Sequence, residues 1–192
     1  MNRRKVLTMA SVSGTWCTGT YLLPPAFAQT AADVPALLRI GGCALMLRHT
    51  QTEPGIGDPA GYRLDQCSTQ RNLSNEGREQ AKHIGQWLKS RGLRPQSIHT
   101  SVWCRCKDTA ELAFGQYAVL SALNSTFDNR ALQDGQTQEL RARLKNIPAG
   151  QFEVWVTHQV NITALTGEVP AMGEAVLVSG QARLLGRTLF TN

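Results

Sequence analysis

Two arginines and two histidines are the residues of this sequence best equipped to do chemistry together. In Leu45-Met46-Leu47-Arg48-His49-Thr50 an Arg-His pair stands where an apolar run gives out. A guanidinium grips phosphate oxygens through a two-pronged fork, and a neutral imidazole beside it can attack phosphorus and become phosphohistidine. Taken alone the dipeptide says little, since a strand terminus with two solvated polar residues reads the same way. In Thr100-Ser101-Val102-Trp103-Cys104-Arg105-Cys106-Lys107-Asp108-Thr109-Ala110 a second short run ends and Arg105 opens a helix. A helix N-terminus offers free N–H groups and a positive dipole end to an anion, so Arg105 is placed to join Arg48 on one ligand. The alternative is a surface arginine that the dipole mildly disfavours. In Val154-Trp155-Val156-Thr157-His158-Gln159-Val160-Asn161 a third apolar run ends in a histidine. His158 either packs or caps, or it donates to a phosphoryl oxygen and steadies the charge that builds there during transfer.

The elements that must position these groups follow from the pattern of apolar residues. Residues 43–47 form a continuous apolar run, which suits a strand covered on both faces. Further strands are expected at 97–101, 118–122, 152–156 and 175–178, with an edge strand over 182–190. A helical turn or two is expected over 34–40. Ser74 is a good N-cap for a helix to residue 90, with Ala81, Ile84, Trp87 and Leu88 at helical spacing and Gly92 closing it. Other helices are expected from 104 or 105 to 114, from 133 to 145 and from 161 to 166. Strands alternating with helices imply an α/β fold, a three-layer α/β/α sandwich with a mostly parallel central sheet. Such sheets bind ligands beyond the C-terminal ends of their strands, where Arg48, His49, Arg105 and His158 all fall. Residues 50–70 read as a long loop, rich in Gly, Pro and Asp. It carries Tyr62, Arg63 and Asp65 but no recognisable substrate code.

Leu47-Arg48-His49-Thr50, followed by Arg71-Asn72-Leu73-Ser74-Asn75-Glu76-Gly77-Arg78-Glu79-Gln80-Ala81, resembles the RHG/RHA … R-x-L-[ST]-x-x-G-x-x-Q-A pattern of the histidine phosphatase (phosphoglycerate mutase-like) superfamily. Ser101-x-x-x-Arg105-x-x-Asp108-Thr109-Ala110 resembles its S-x-x-x-R helix start, and Val156-Thr157-His158 its V-[ST]-H strand end. The motifs occur in the family's order from about residue 42 to 178. The short length is similar to that of the small phosphohistidine-phosphatase-like members. The resemblance implies that His49 is the phosphorylated nucleophile, that Arg48 and Arg105 grip the phosphate, and that His158 stabilises it, with no metal or other cofactor. It also implies an acid that protonates the leaving oxygen. Asp128 is the candidate and Asp134 the second, though neither sits in a clear motif and Asp128 also reads as a turn residue. Thr50 stands where the best-known pattern has Gly. A positive φ there would strain it; otherwise its hydroxyl is free to donate to phosphate. Arg71 leans on the substrate or is solvated. Trp103 borders the pocket or packs, Trp87 is core, and His83 and His99 fit ordinary structural positions.

The first residues read separately. Asn2-Arg3-Arg4-Lys5 is a basic head, a mostly apolar or small-residue stretch follows, and Ala26-Phe27-Ala28 has the form of a cleavage site. Residues 1–28 are therefore expected to be a cleaved signal peptide of twin-arginine type, and residues 29–192 the phosphatase domain, periplasmic or secreted with no stable membrane anchor. Arg3, Arg4 and Lys5 account for three of the six net positive charges. The mild excess left suits an anion site and lacks the dense basic stripe that nucleic-acid binding needs. Cys43, Cys67, Cys104 and Cys106 then remain, an even number in an oxidising compartment. Cys104 and Cys106 are too close to pair comfortably, so each is expected to reach Cys43 or Cys67; zinc is the less natural reading of this spacing. The expected activity is hydrolysis of a phosphorylated small molecule or phosphoprotein. The alternatives are phosphotransfer or mutase chemistry, and a phosphate-binding protein with an impaired site.

Overall fold

Six residues with no polar side chain before the last cannot face water on either side. Cys43–Arg48 (β1) is accordingly an inner strand, every residue from Cys43 to Leu47 buried, in the computed structural model, which describes residues 33–191. The other strands are β2 (Ser97–Thr100), β3 (Ala118–Val119), β4 (Phe152–Thr157), β5 (Ala175–Ser179) and β6 (Leu184–Thr188). They form one sheet in the order β3-β2-β4-β1-β5-β6. The pairs β1–β4, β2–β4 and β2–β3 are parallel, while β5 and β6 add antiparallel strands beyond β1.

Two apolar clusters sit on opposite faces of the sheet. Leu45, Leu47, Val154 and Val156 pack with α1 (Val34–Ile40), α2 (Asn75–Ser90) and α3 (Cys104–Phe114). Met46, Trp155, Val176 and Val178 pack with α4 (Gln133–Leu144) and α5 (Gln159–Thr166). The alternation of side chains along each strand is what divides the core in two, and the result is the expected three-layer α/β/α sandwich with a mostly parallel sheet. Helix α2 begins as its sequence indicates, with the Ser74 hydroxyl accepting from the Gly77 amide at 3.2 Å, and it buries Ala81, Ile84, Trp87 and Leu88.

Three elements differ from expectation by more than one residue. The strand expected over 118–122 keeps only Ala118 and Val119 on the ladder, and a 3-10 turn, Ser121–Leu123, follows. The carbonyls of Ala122 and Leu123 are taken instead by the side chains of Asn161 and Thr157, which draws this segment under the sheet. Helix α5 starts at Gln159, two residues early, because extended His158 already serves as its N-cap. The edge strand is shorter than 182–190. Ala182 and Phe190 both adopt positive φ, and Phe190 turns in to stack edge-on against Trp87 at 5.3 Å.

The cysteines meet expectation in part, since Cys104 reaches Cys67 but Cys106 and Cys43 are buried thiols. Cys43 opens β1 and lies five residues from Arg48, roughly 16 Å along a strand from the edge where Cys106 sits. The export signal expected over 1–28 lies outside the described residues, as does the start of the domain expected at 29. Among the described residues no helix is long and apolar enough to cross a membrane.

The disulfide closes a loop between residues 37 positions apart. In chain-entropy terms that constraint on the unfolded state amounts to about 4 kcal/mol. A Cys67→Ser/Cys104→Ser variant is expected to unfold at lower urea concentration than the oxidised protein, by up to that amount. Dithiothreitol should lower the wild type and leave the variant unmoved.

Candidate active site

Parallel pairing in register brings the two histidines together. Arg48 of β1 lies opposite Thr157 of β4, so the next residue on each strand, His49 and His158, leaves the sheet at the same level. The His49 amide donates to the Thr157 carbonyl at 2.9 Å, and the two rings meet edge-on with centroids 5.5 Å apart. Strand β2 ends one step away: the Ser101 amide donates to the Val156 carbonyl, and Arg105 then enters on the first turn of α3. The sheet edge thus gathers Arg48, His49, Arg105 and His158, four residues drawn from three separate stretches of chain. They line one cavity of about 230 Å³ together with Asp58, Arg71 and Asp128. A larger groove of about 620 Å³ runs between α2 and α3 past Lys82, Leu88 and Phe114. None of the four strand-end residues opens into it.

His49 is held as a neutral base. Its Nδ1 lies 2.9 Å from the Thr50 carbonyl, which can only accept, so Nδ1 carries the proton and the Nε2 lone pair is left for attack. The ring is 3% exposed, and burial, then the charge of Arg105, pushes its pKa down to about 3. The same causes in the same order hold His158 well below the usual imidazole range. His158 Nε2 sits 2.9 Å from the Ser101 hydroxyl, and Nδ1 lies 3.5 Å from an Arg105 nitrogen. Ser101 is in turn fixed by Asn124, whose side-chain oxygen also accepts from the Val102 amide. Cys106 Sγ packs 3.5 Å from His158 Nε2, behind the ring.

Three guanidiniums surround the imidazoles. Arg48 donates to the Pro170 carbonyl at 2.8 Å and Arg71 to the Gly55 carbonyl at 2.7 Å. Burial and then mutual repulsion with its cationic neighbours lower the pKa of each. The buried Nε donors of Arg48, Arg71 and Arg105 all lack an acceptor among the described residues. Buried donors are seldom left unpaired; these belong to three arginines that line one cavity, whose combined positive charge suits an anion. Arg71 therefore joins the site from the start of its motif.

Thr50 does not face this cavity. Its φ is negative, so no strain arises where a glycine would be usual. The Thr109 hydroxyl donates to the Arg105 carbonyl at 2.7 Å, so Thr50 must be the donor in the 3.1 Å contact between the two hydroxyls. Its proton is committed there, and the expectation that it binds phosphate gives way to a role in fixing α3 behind His49. Asp128 reaches the cavity rim, exposed, and accepts from the Tyr62 hydroxyl at 3.1 Å. Asp134 lies exposed in the first turn of α4 and does not line the cavity. Trp103 is buried, 5.3 Å from the His158 ring. His83 bonds the Phe190 carbonyl, and His99 joins Arg143 and Glu153 at the far end of the sheet.

Sequence reading passed over two functional neighbours. Asp58 is nearly sealed from solvent and ion-paired with Arg105 at 2.8 Å. Its only sequence mark is an acid between Gly57 and Pro59 in a long loop. Gln80 receives the Gln51 amide on Oε1 and donates from Nε2 to the Met172 carbonyl, bridging the two loops that flank His49. Gly77 lets that packing occur, since a Cβ there would fall 1.8 Å from the Gln51 carbonyl oxygen. The motif glycine and glutamine thus brace the loop after His49 from α2.

The family model described as the histidine phosphatase superfamily, branch 1, matches residues 44–171. No curated protein matches the chain. Among solved structures, TTHB049 from Thermus thermophilus is 20% identical, with a TM-score of 0.52 over 76% of this chain and 98% of its own. The protein histidine phosphatase SixA complexed with tungstate is 15% identical, with a TM-score of 0.50 over 76% and 92%. The putative phosphohistidine phosphatase SixA from Agrobacterium tumefaciens is 18% identical, with a TM-score of 0.52 over 76% and 97%. At these identities the likeness shows a shared fold.

The neutral imidazoles have a consequence for acid stability. Between the ordinary value of 6.5 and about 3, the unfolded chain's His49 takes up a proton that the folded one refuses. Stability therefore falls as pH falls through that window. In His49→Asn this contribution is absent. Its urea midpoint should differ from wild type by a constant above pH 7 and gain on it progressively below pH 6; parallel curves down to pH 3.5 would refute the assignment.

Proposed function

Because this chain belongs to branch 1 of the histidine phosphatase superfamily, we propose that it is an exported phosphatase. It would hydrolyse phosphomonoesters or a phosphoprotein through a phosphohistidine on His49. The observation that carries this reading is the neutral His49 ring, Nε2 unprotonated, set among three arginines with unpartnered Nε donors and 5.5 Å from a second imidazole.

In the first step Arg48, Arg71 and Arg105 neutralise the phosphoryl oxygens, and His49 Nε2 attacks phosphorus as the ester P–O bond breaks. Neutral His158 accepts from Arg105 at Nδ1, so it steadies the oxygens on which charge is shared by holding that guanidinium, and directly only once Nδ1 takes up a proton. The departing oxygen takes a proton from Asp128, which lines the same cavity as His49, whereas Asp134 does not. Water then attacks phosphorus as it passes a proton back to Asp128, the P–N bond breaks with its electron pair returning to Nε2, and inorganic phosphate leaves with His49 neutral again. Nothing in this sequence of steps calls on a metal or other cofactor.

Hydrolysis is favoured over phosphotransfer or isomerisation because the rim is open. Ile56 and Phe127, both at the cavity mouth, are 93% and 50% exposed, so little shields an intermediate from water. SixA, a protein histidine phosphatase whose tungstate complex shares this fold, supports a phosphoprotein among the substrates to be tried. A periplasmic or secreted location is supported by the Cys67–Cys104 disulfide, which persists in oxidising compartments.

The test is turnover of p-nitrophenyl phosphate by residues 29–192. His49→Ala is expected to lose at least about a thousandfold in kcat, and Arg105→Ala about a hundredfold in kcat/KM. Labelled substrate should leave an acid-labile, alkali-stable phosphoryl group on wild type and none on His49→Ala. A His49→Ala protein as active as wild type would exclude the nucleophile. A phosphorylated isomer in place of free phosphate would indicate a mutase, and no turnover despite phosphate binding would indicate an impaired site.

A further inference from the structure

Asp58 is a buried carboxylate facing the place where phosphate would bind. Its side chain is 3% exposed. Oδ1 accepts from Arg105 Nη1 at 2.8 Å and from the Arg71 amide at 3.0 Å, and Oδ2 accepts from Trp103 Nε1 at 3.1 Å. All three contacts are donors, the pattern that an ionised carboxylate satisfies. Asp58 in this arrangement has no proton to give a leaving group, which separates it from Asp128 on the rim.

Arg105 is shared accordingly. Nη1 is occupied by Asp58, Nη2 lies against His158, and Nε has no acceptor among the described residues. Arginines stay charged at any ordinary pH, so Arg48, Arg71 and Arg105 give the cavity three positive charges, and Asp58 reduces the net to two while Asp128, on the rim, holds the proton it donates. That net charge matches a phosphomonoester dianion. Without the carboxylate the cavity would hold phosphate, the product, with one more uncompensated cation in a largely desolvated place.

We propose that Asp58 is a specificity-determining counter-ion: its carboxylate competes with the phosphoryl group for Arg105, lowering the site's affinity for inorganic phosphate so that product leaves. The loop is built to let it yield. Gly55, Gly57 and Gly61 surround it at positive φ, while the Cys67–Cys104 bond and the Gln70–Cys104 hydrogen bond limit how far it retreats. The inference rests on the proposed phosphatase reading for where phosphate sits, and its test does not depend on turnover.

The near-isosteric Asp58→Asn replacement is compared with wild type at one fixed ionic strength. The inhibition constant of inorganic phosphate is expected to fall at least about tenfold, an effect on the scale of one unscreened charge at a partly buried site. KM and kcat for p-nitrophenyl phosphate should fall together, as product release becomes slower. Unchanged phosphate affinity with kcat lost only for alkyl esters, which need leaving-group protonation, would instead make Asp58 a general acid. Weaker phosphate binding would make it no more than a prop for Arg105. Either result overturns the proposal.

Two further measurements keep the question decidable. Calorimetric phosphate binding to His49→Ala and to His49→Ala/Asp58→Asn reads the counter-ion effect with the proposed nucleophile removed. Should Asp58→Asn not fold, the indole N–H resonance of Trp103 in wild type, assigned with Trp103→Phe, reports on the carboxylate directly. Saturating phosphate should shift it and leave the Trp155 indole, bonded to Glu153, in place; an unmoved Trp103 signal overturns the proposal.

Discussion

The hydrogen-bonded ladder between β1 and β4 sets the position of everything at the site. It is parallel, and it runs in register to its last pair, Arg48 with Thr157. A shift of one residue would send the side chains of one strand to the opposite face, separating His49 from His158 and setting Leu45 and Leu47, or Val154 and Val156, against the wrong layer of helices. The two-sided core therefore fixes register, and register fixes the distance between the imidazoles. The geometry of the site is in this sense a by-product of burying two apolar strands.

The surrounding loops are held to that edge by contacts from behind. Gln80 reaches from α2 to the segment after His49 and to the loop before β5, Thr109 holds Thr50 from α3, and the Gly173 amide reaches the carbonyls of Arg48 and His49. Gly173 has φ of +76°, and a Cβ there would fall 2.0 Å from the Gln80 side chain. Each brace comes from a different element, so the rigidity of the site is distributed, while the rim residues Ile56 and Phe127 are left exposed.

Much of this was legible in the amino-acid order because it depends on strong local signals. The apolar runs of β1 and β4 have few alternatives as strands, and Ser74 with the spaced Ala81, Ile84, Trp87 and Leu88 has few as anything but a helix. Arg48, His49, Arg105 and His158 could be anticipated because each follows a buried run or opens a helix, and sheet topology does the rest. What could not be read was the outcome of long-range competition. Asn161 and Thr157 draw the segment after Val119 off the ladder, a choice that no window of sequence around residue 120 contains. The Thr50 hydroxyl goes to Thr109, 59 residues away, although its place beside the nucleophile suggested the ligand. Asp58 was hidden for the same reason, since its meaning comes from Arg105, Arg71 and Trp103.

The thiol of Cys106 has a bearing on how the chain acquires its cross-link. It stands two residues from a disulfide sulfur, a spacing at which thiol–disulfide exchange could shuffle the bond into a mispaired isomer. Exchange requires the thiolate. Burial beside His158 pushes the Cys106 pKa up to about 12, so at neutral pH the attacking species is all but missing once the domain has closed. Correct pairing is thus guarded kinetically by the packing of the finished fold, and the interval in which scrambling can occur ends when α3 docks against the sheet.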